Sequence, residues 1–275
     1  MTPLAVDGAM LSHPGHLREL NEDVVLYHTA KAGDPLAHLG TLAVVADGMG
    51  GHAAGEVASQ IAAQTIHLLY YRQNRPVPEA LAEAFAAANT AIYSRSHADP
   101  ECAGMGTTCT ALVIRNCQAW LGHIGDSRAY LVRQGTIHEL SEDHTLVAQL
   151  VAEGMLTPEQ ARISPDRNVL VRALGTSASA DPSIWNDGMK LMPGDTFVLC
   201  SDGLHDLVEG AHIVDAVVHH SPFDACQALI QAALDAGGHD NISVGVFAVT
   251  SEPTGDTPER PTIELDLTGC SRNIG

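Results

Sequence analysis

Three short apolar segments with very short links between them constrain this chain more than any other feature. They cover residues 108–114, 119–124 and 128–133, and each has the β-branched and apolar content of a strand. Strands joined by tight turns pair antiparallel, because parallel neighbours need a long crossover. We therefore predict antiparallel sheet, with hairpin turns at Arg115-Asn116 and Gln134-Gly135.

More strands and two groups of helices surround this hairpin region. Further apolar strands are predicted at 42–46, 196–200 and 242–249. Apolar residues at helical spacing, and a proline at one helix start, predict helices at 56–72, 78–95, 211–219 and 223–236. Strands in runs with helices in groups indicate an α+β layered domain. Residues 251–275 contain three prolines and lose the apolar pattern, so a flexible tail is expected there.

Composition excludes several classes of partner. The chain of 275 residues has 33 acidic and 14 basic residues, a formal charge of −19, and would repel nucleic acid and anionic membranes. Its six cysteines lack the spacing of a zinc or redox motif, which indicates a reducing compartment. No apolar stretch reaches the length of a bilayer span, and the first ten residues lack signal-peptide features. The cytoplasm is the predicted location.

Carboxylates stand at the ends of the apolar strands. Asp47 follows the strand at 42–46, Asp202 follows the one at 196–200, and Asp240 precedes the one at 242–249. If the last strand lies antiparallel to the other two, the three carboxylates meet at one edge of the sheets. Like charges that close are costly unless a cation lies between them, and Mg²⁺ or Mn²⁺ is the natural occupant.

Two neighbouring motifs strengthen this interpretation. The glycine-rich run Asp47-Gly48-Met49-Gly50-Gly51-His52 allows close backbone approach to a ligand and frees the Gly48 carbonyl to coordinate. Arg18 precedes Glu22 and Asp23, directly before another apolar stretch. This arrangement offers a guanidinium for a phosphate beside carboxylates for a metal.

Taken together, these motifs resemble the PPM (protein phosphatase 2C) family, and its bacterial members above all. The resemblance covers about residues 10–250, and the order of several motifs is very specific. The matching positions are Arg18, Glu22-Asp23, Asp47-Gly48-Met49-Gly50-Gly51-His52, Gly106-Thr107-Thr108, Gly125-Asp126-Ser127-Arg128, Ser201-Asp202-Gly203-Leu204 and Asp240-Asn241.

The resemblance implies a fold and a domain plan. The expected architecture is a four-layer αββα sandwich, in which two antiparallel sheets lie between helix layers and a metal centre occupies the cleft at one end. Residues 1–250 would form the catalytic domain. Within it, residues 143–172 would form a flap over the cleft, with helices at 146–153 and 157–162.

The resemblance also implies roles for individual residues in binding two metal ions. Asp47 would bridge the two ions, and Asp202 and Asp240 would complete the first. Glu22 and the Gly48 carbonyl would lie beside the second. Mn²⁺ or Mg²⁺ is the expected cofactor.

Further positions have secondary or open roles. Asp23 would act in an outer shell, Asp126 matches the position of a third metal in bacterial members, and Arg18 would bind the substrate phosphate. Met49 stands where many eukaryotic members have a histidine that protonates the leaving group. The acid therefore stays open between His52 and a metal-bound water, and the other histidines are interpreted as ordinary helix or surface residues.

The implied reaction is hydrolysis of phosphoserine or phosphothreonine by direct attack of a metal-bridging hydroxide, without a phosphoenzyme. Phosphorylated proteins would be the substrates, a serine/threonine kinase the opponent, and the enzyme a monomer. An aspartyl-nucleophile phosphatase is disfavoured because Val45, and not Asp, stands two residues before Asp47. Residues 44–46 likewise lack the carboxylates of an EF-hand. A catalytically dead homologue that acts as a binding module stays as the alternative.

Overall fold

The computed structural model of the chain describes residues 4–29, 35–50, 54–72 and 74–251. Gly51 and His52, and all of the predicted tail except Ser251, lie outside the described residues. Within the described part no helix is both long enough and apolar enough to cross a bilayer.

Strands and helices alternate in groups along the chain. The strands are β1 (Ala5–His13), β2 (Asp23–His28), β3 (Thr41–Met49), β4 (Gly106–Thr107), β5 (Cys109–Arg115), β6 (Gln118–Ile124), β7 (Arg128–Arg133), β8 (Thr136–Glu139), β9 (Ser183–Ile184), β10 (Met189–Lys190), β11 (Thr196–Cys200) and β12 (Ile242–Thr250). The α-helices are α1 (Ala54–Arg72), α2 (Val77–Ala98), α3 (Leu146–Ala152), α4 (Pro158–Arg162), α5 (Asp202–His205), α6 (Gly210–His219) and α7 (Pro222–Asp235).

These strands form two antiparallel sheets. Sheet 1 has the order β1-β12-β11-β7-β8. Sheet 2 has the order β10-β6-β5-β3-β2, with β4 paired to β3 and β9 to β6. The predicted antiparallel pairing is thus confirmed.

Alternation of side chains along each strand produces the layers. On β11, Phe197 and Leu199 pack between the two sheets, whereas Val198 and Cys200 pack against α6 and α7. On β3, residues 43 and 45 face the space between the sheets, and residues 42, 44 and 46 pack against α1 and α2. The result is a helix layer, two sheets and a second helix layer, which confirms the predicted four-layer αββα sandwich.

The fold corrects some details of the sequence prediction. The last strand, β12, pairs with β11 but not with β3, because β3 belongs to sheet 2. The hairpin turn between β5 and β6 is Asn116-Cys117, with φ of 51° and 60°, one residue later than predicted. The second predicted turn, Gln134-Gly135, is confirmed, with φ of 53° and 74°.

Candidate metal centre

Strand ends bring four aspartates to one end of the sandwich. Asp23 and Asp47 stand directly opposite each other in the β2–β3 ladder. In sheet 1, the β7–β11 ladder ends at the pair Arg128 and Cys200. Two residues beyond that pair on each strand stand Asp126 and Asp202. Like charges that face each other across a sheet destabilise it, so this arrangement points to a function.

The electrostatics of the four aspartates reflect their burial and mutual repulsion. Burial raises the pKa of Asp47 well above its ordinary value, and neighbouring aspartates raise it further. Burial is also the larger cause that raises the pKa of Asp23 to about 7, with Asp202 contributing. Asp126 has its pKa raised to about 7 by burial and by Asp202. The site therefore holds charged carboxylates only at a cost, which a bound cation would offset.

Asp240 completes the cluster from the start of β12. Its Oδ2 accepts a hydrogen bond from Arg18 Nη2 at 2.8 Å, and its Oδ1 accepts one from the Asn241 amide at 2.8 Å. Arg18 is half exposed, with 51% of its side chain accessible, and lines a pocket of about 470 Å³. Asp47, Gly48 and other candidate residues line the same pocket.

Gly48 allows the end of β3 to pack closely against its neighbours. A Cβ at this position would lie 2.1 Å from the Gly55 carbonyl oxygen at the start of α1 and 2.7 Å from the Glu22 carbonyl oxygen. The Gly48 amide donates to that same Glu22 carbonyl at 3.1 Å. The absence of a side chain thus brings Glu22, the end of β3 and the start of α1 to one place.

The donor set fits a divalent cation with oxygen ligands. Three carboxylate oxygens, Glu22 Oε1, Asp23 Oδ1 and Asp202 Oδ1, are buried and accept no hydrogen bond. Among the described residues, no three His, Cys, Asp or Glu side chains already form a closed ligand set. In this arrangement Asp240 binds Arg18 with one of its oxygens. Hard carboxylate and carbonyl oxygens without thiols suit Mg²⁺ or Mn²⁺.

Asn241 has a larger part than sequence reasoning assigned to it. In the structure its side chain accepts from the Glu22 amide at 2.8 Å and donates to the carbonyls of Pro14 at 3.0 Å and Leu20 at 2.9 Å. The loop that carries Arg18 and Glu22 is therefore fastened to the start of β12 by one amide group.

Three histidines near the site have buried side chains; the prediction of ordinary helix or surface residues is wrong for His123 and His144, whereas His205 is the last residue of helix α5. His123 and His144 are 1% and 2% exposed, and their rings lie 4.8 Å apart. His144 accepts from the Gly125 amide at 3.1 Å through Nδ1. The side chain of His205 is 5% exposed, and its Nε2 lies 3.0 Å from the Asp126 carbonyl oxygen. Their buried partners could not be deduced from the sequence, because these contacts join segments distant along the chain.

Met49, Cys200 and Ser201 lie near the aspartates, but none of the three is suited to react with a substrate. Met49 lines the pocket, and its methyl group packs on Gly106, so this position offers no proton. Cys200 is fully buried, and burial raises the pKa of its thiol to about 12. The Ser201 hydroxyl donates to Asp23 Oδ2 at 2.8 Å and accepts from the Ser243 amide at 3.0 Å.

The segment predicted as the flap begins and ends beside the site. Its helices α3 and α4 match the prediction within one or two residues, and Thr157 forms a capping box at the start of α4. Its two ends are joined where the Val171 amide donates to the His144 carbonyl at 2.9 Å. Between this segment and α5–α6 lies a cleft of about 1770 Å³ that Asp126 and Asp202 also line.

Comparison with known proteins identifies the family. The sequence model described as Protein phosphatase 2C matches residues 19–238. The chain belongs to the protein phosphatase 2C family. It is 38% identical over 252 residues to the serine/threonine protein phosphatase PstP of Mycobacterium tuberculosis, which covers 90% of this chain but 46% of that protein. The chain thus spans about half the length of this relative.

Other relatives match over their whole length. Protein phosphatase PhpP of Streptococcus pneumoniae is 34% identical over 249 residues, 89% of this chain and 98% of that protein. The crystal structure of the PstP catalytic domain in complex with two manganese ions is similar with a TM-score of 0.76 and 35% identity, covering 90% of this chain and 100% of that one. The predicted membership of the family is confirmed.

Proposed function

We propose that this chain is a metal-dependent protein phosphatase that hydrolyses phosphoserine and phosphothreonine. The observation that carries the proposal is a single pocket of about 470 Å³ lined by four aspartates, Asp47, Asp126, Asp202 and Asp240, together with Arg18. The names of the PstP and PhpP relatives support the reaction type.

Mn²⁺ or Mg²⁺ is the proposed cofactor, with two ions and a third at Asp126. Asp47 would bridge the two ions; Asp202 and Asp240 would hold the first, and Glu22 and the Gly48 carbonyl the second. Ions bound there would supply positive charge for the phosphoryl oxygens and lower the pKa of a water. The manganese in the PstP structure supports this assignment, as do the free carboxylate oxygens here.

The residues around the ions would position the substrate and the ligands. Arg18 would bind the phosphate; its guanidinium already makes a charge-assisted hydrogen bond to Asp240 in the same pocket. Because Arg18 has several donors, it can bind a phosphate while keeping or exchanging that contact. Asp23 would act behind the ligands, where Ser201 fixes one of its oxygens and leaves the other free.

We propose that no phosphoenzyme forms. A thiol whose pKa is raised to about 12 supplies almost no thiolate, so Cys200 is a poor nucleophile. Ser201 has both its hydrogen bonds committed within the protein. Asp47 would be engaged by the ions. Because none of these three side chains is a suitable nucleophile, we propose that water attacks the phosphorus directly.

Substrates, partners and location follow from charge and from the relatives. Phosphorylated proteins would be the substrates, and a serine/threonine kinase and its targets the physiological counterpart. The formal charge of −19 argues against nucleic-acid and anionic-membrane partners. We propose a monomer that acts in the cytoplasm.

One assay separates the phosphatase from a binding module of the same fold. The purified protein is given a phosphothreonine peptide, a phosphotyrosine peptide and a small phosphate ester, with Mn²⁺ or with excess EDTA. We expect hydrolysis that needs Mn²⁺ and favours phosphothreonine, and its loss in Asp202→Asn. No hydrolysis of any substrate would support the binding module, and full activity in EDTA would refute the metal mechanism.

A further inference from the structure

The segment that carries Asp126 lies outside the β-ladders, and its neighbours on both sides are held by separate contacts: Thr108 and Thr110 bind Ser127, and the His144 amide donates to the Gly125 carbonyl. The segment crosses from the end of β6 in sheet 2 to the start of β7 in sheet 1. The ladder between β7 and β11 ends at Arg128 and Cys200, after which the chain of β11 turns into α5. No ladder hydrogen bond therefore fixes Asp126 opposite Asp202. Repulsion between these two carboxylates would favour their separation.

His205 supplies a link at this place. It is the last residue of α5, and its buried ring nitrogen Nε2 lies 3.0 Å from the Asp126 carbonyl oxygen. Because a carbonyl only accepts, Nε2 carries the hydrogen and donates it. The other ring nitrogen, Nδ1, lies 3.4 Å from Asp206 Oδ1. In the protonated ring Nδ1 also carries a hydrogen, so the imidazole then binds the Asp126 main chain on one side and the Asp206 carboxylate on the other.

We propose that His205 is a positioning residue of the metal centre, which keeps the Asp126 carboxylate opposite Asp202 through its hydrogen bond to the Asp126 main chain. Its effect falls on the third divalent ion, since Asp126 is the ligand that distinguishes that position. The inference rests on the proposed metal site. It assigns a role to a residue outside the family motifs matched above, since the motif Ser201-Asp202-Gly203-Leu204 ends one residue before His205.

A matched pair of variants isolates the hydrogen bond. His205→Gln keeps an N–H donor at the position of Nε2, whereas His205→Met has a similar length and no donor. Binding of Mn²⁺ alone is measured by isothermal titration calorimetry. We expect His205→Met to weaken the Asp126-dependent ion by about tenfold or more and His205→Gln to stay within about threefold of the wild type. Asp126→Asn should lose the same ion, and His205→Met should add nothing to that loss.

The outcomes distinguish this inference from the proposed function. Wild-type Mn²⁺ affinity in His205→Met would overturn the inference. Equal losses of Mn²⁺ affinity in His205→Met and His205→Gln would also overturn it, because they would indicate that the residue acts through packing alone. If His205→Met does not fold, Asp206→Ala decides by the same isotherm. A weaker Asp126-dependent ion would support the inference, and unchanged binding would overturn it. A wild-type protein that binds Mn²⁺ but hydrolyses nothing would refute the phosphatase and leave this test intact.

Discussion

The two halves of the candidate site are held in place by different means. Asp23 and Asp47 lie within a β-ladder, so the hydrogen bonds of a whole sheet determine their separation. The loop with Arg18 and Glu22, and the segment with Asp126, are held by separate hydrogen bonds instead, among them those of the Asn241 and His205 side chains. We expect substitutions around Asp23 and Asp47 to have little effect on activity, and only the loss of one of the proposed metal ligands there to abolish it. The second half should respond to single substitutions of residues that contact no ion.

The largest effect is expected from a ligand in the ladder-held half. Asp47→Asn removes the carboxylate that would bridge two ions, and kcat on a phosphothreonine peptide with Mn²⁺ should fall by about 10³-fold or more. Asp195→Asn is the control. This buried aspartate lies just before β11, at the opposite end of that strand from Asp202, and accepts two hydrogen bonds of 2.7 Å from Arg133. It should lower the melting temperature but leave kcat near the wild-type value. Similar kcat losses in both would mean that Asp47 acts through the fold.

A smaller effect is expected from the fastening of the Arg18 loop. Asn241→Ala removes three hydrogen bonds to that loop, and kcat/KM should fall by about 10–100-fold, as for other residues that orient metal ligands. Steady-state kinetics over a range of Mn²⁺ concentrations would test this. Wild-type kinetics in Asn241→Ala would show that the loop keeps its place without the amide, and the contrast between the two halves would disappear.

The smallest of these effects concerns the phosphate. Arg18→Ala should raise KM by about tenfold through the loss of one charge-assisted contact, with a smaller change in kcat. Its melting temperature should change little, because an exposed ion pair contributes less than about 1 kcal/mol.

Arg95→Ala is the matched control for Arg18→Ala, since Arg95 on α2 is 55% exposed and makes an ion pair of 2.9 Å with Asp99, the residue that follows the helix. It should leave KM unchanged. An unchanged KM in Arg18→Ala as well would place Arg18 outside the phosphate site.

Much of the ladder-held half could be predicted from sequence. Asp47 directly follows the apolar residues 42–46, and a strand that ends in Asp-Gly is visible without any tertiary information. Strand β1 was missed, because Asp7 and Gly8 are typical of turns. Its partner β12 is more than 200 residues away in the chain. Gly8 is required there by packing: a Cβ would lie 2.3 Å from the ring of Phe247.

The half of the site that contains Arg18 and Asp126 could be predicted only in part. The family resemblance named Asp126 and Arg18, but the residues that hold them had no local pattern. His144 contacts Gly125 from 19 positions along the chain, and His205 contacts Asp126 from 79 positions. Such contacts depend on how the two sheets and the flap segment pack, and neither periodicity nor turn residues report that packing.

The central claim is that the aspartate cluster is a metal site whose ionised form is costly without the ion. When a carboxyl has a raised pKa in the folded state, the fold becomes less stable as the pH rises through that pKa. This pKa is about 7 for Asp23 and for Asp126. At pH 8 in EDTA the cluster should therefore destabilise the fold. Removing one charge there, or adding a cation, should restore stability.

Thermal melting of the wild type and Asp47→Asn at pH 8, each in EDTA and with saturating Mn²⁺, tests this claim most directly. We expect Mn²⁺ to raise the wild-type melting temperature by about 5–10 °C, as for a ligand at roughly 100 times its Kd. Asp47→Asn should melt above the wild type in EDTA and gain little from Mn²⁺. Equal wild-type melting temperatures with and without Mn²⁺, together with a less stable Asp47→Asn in EDTA, would contradict the account.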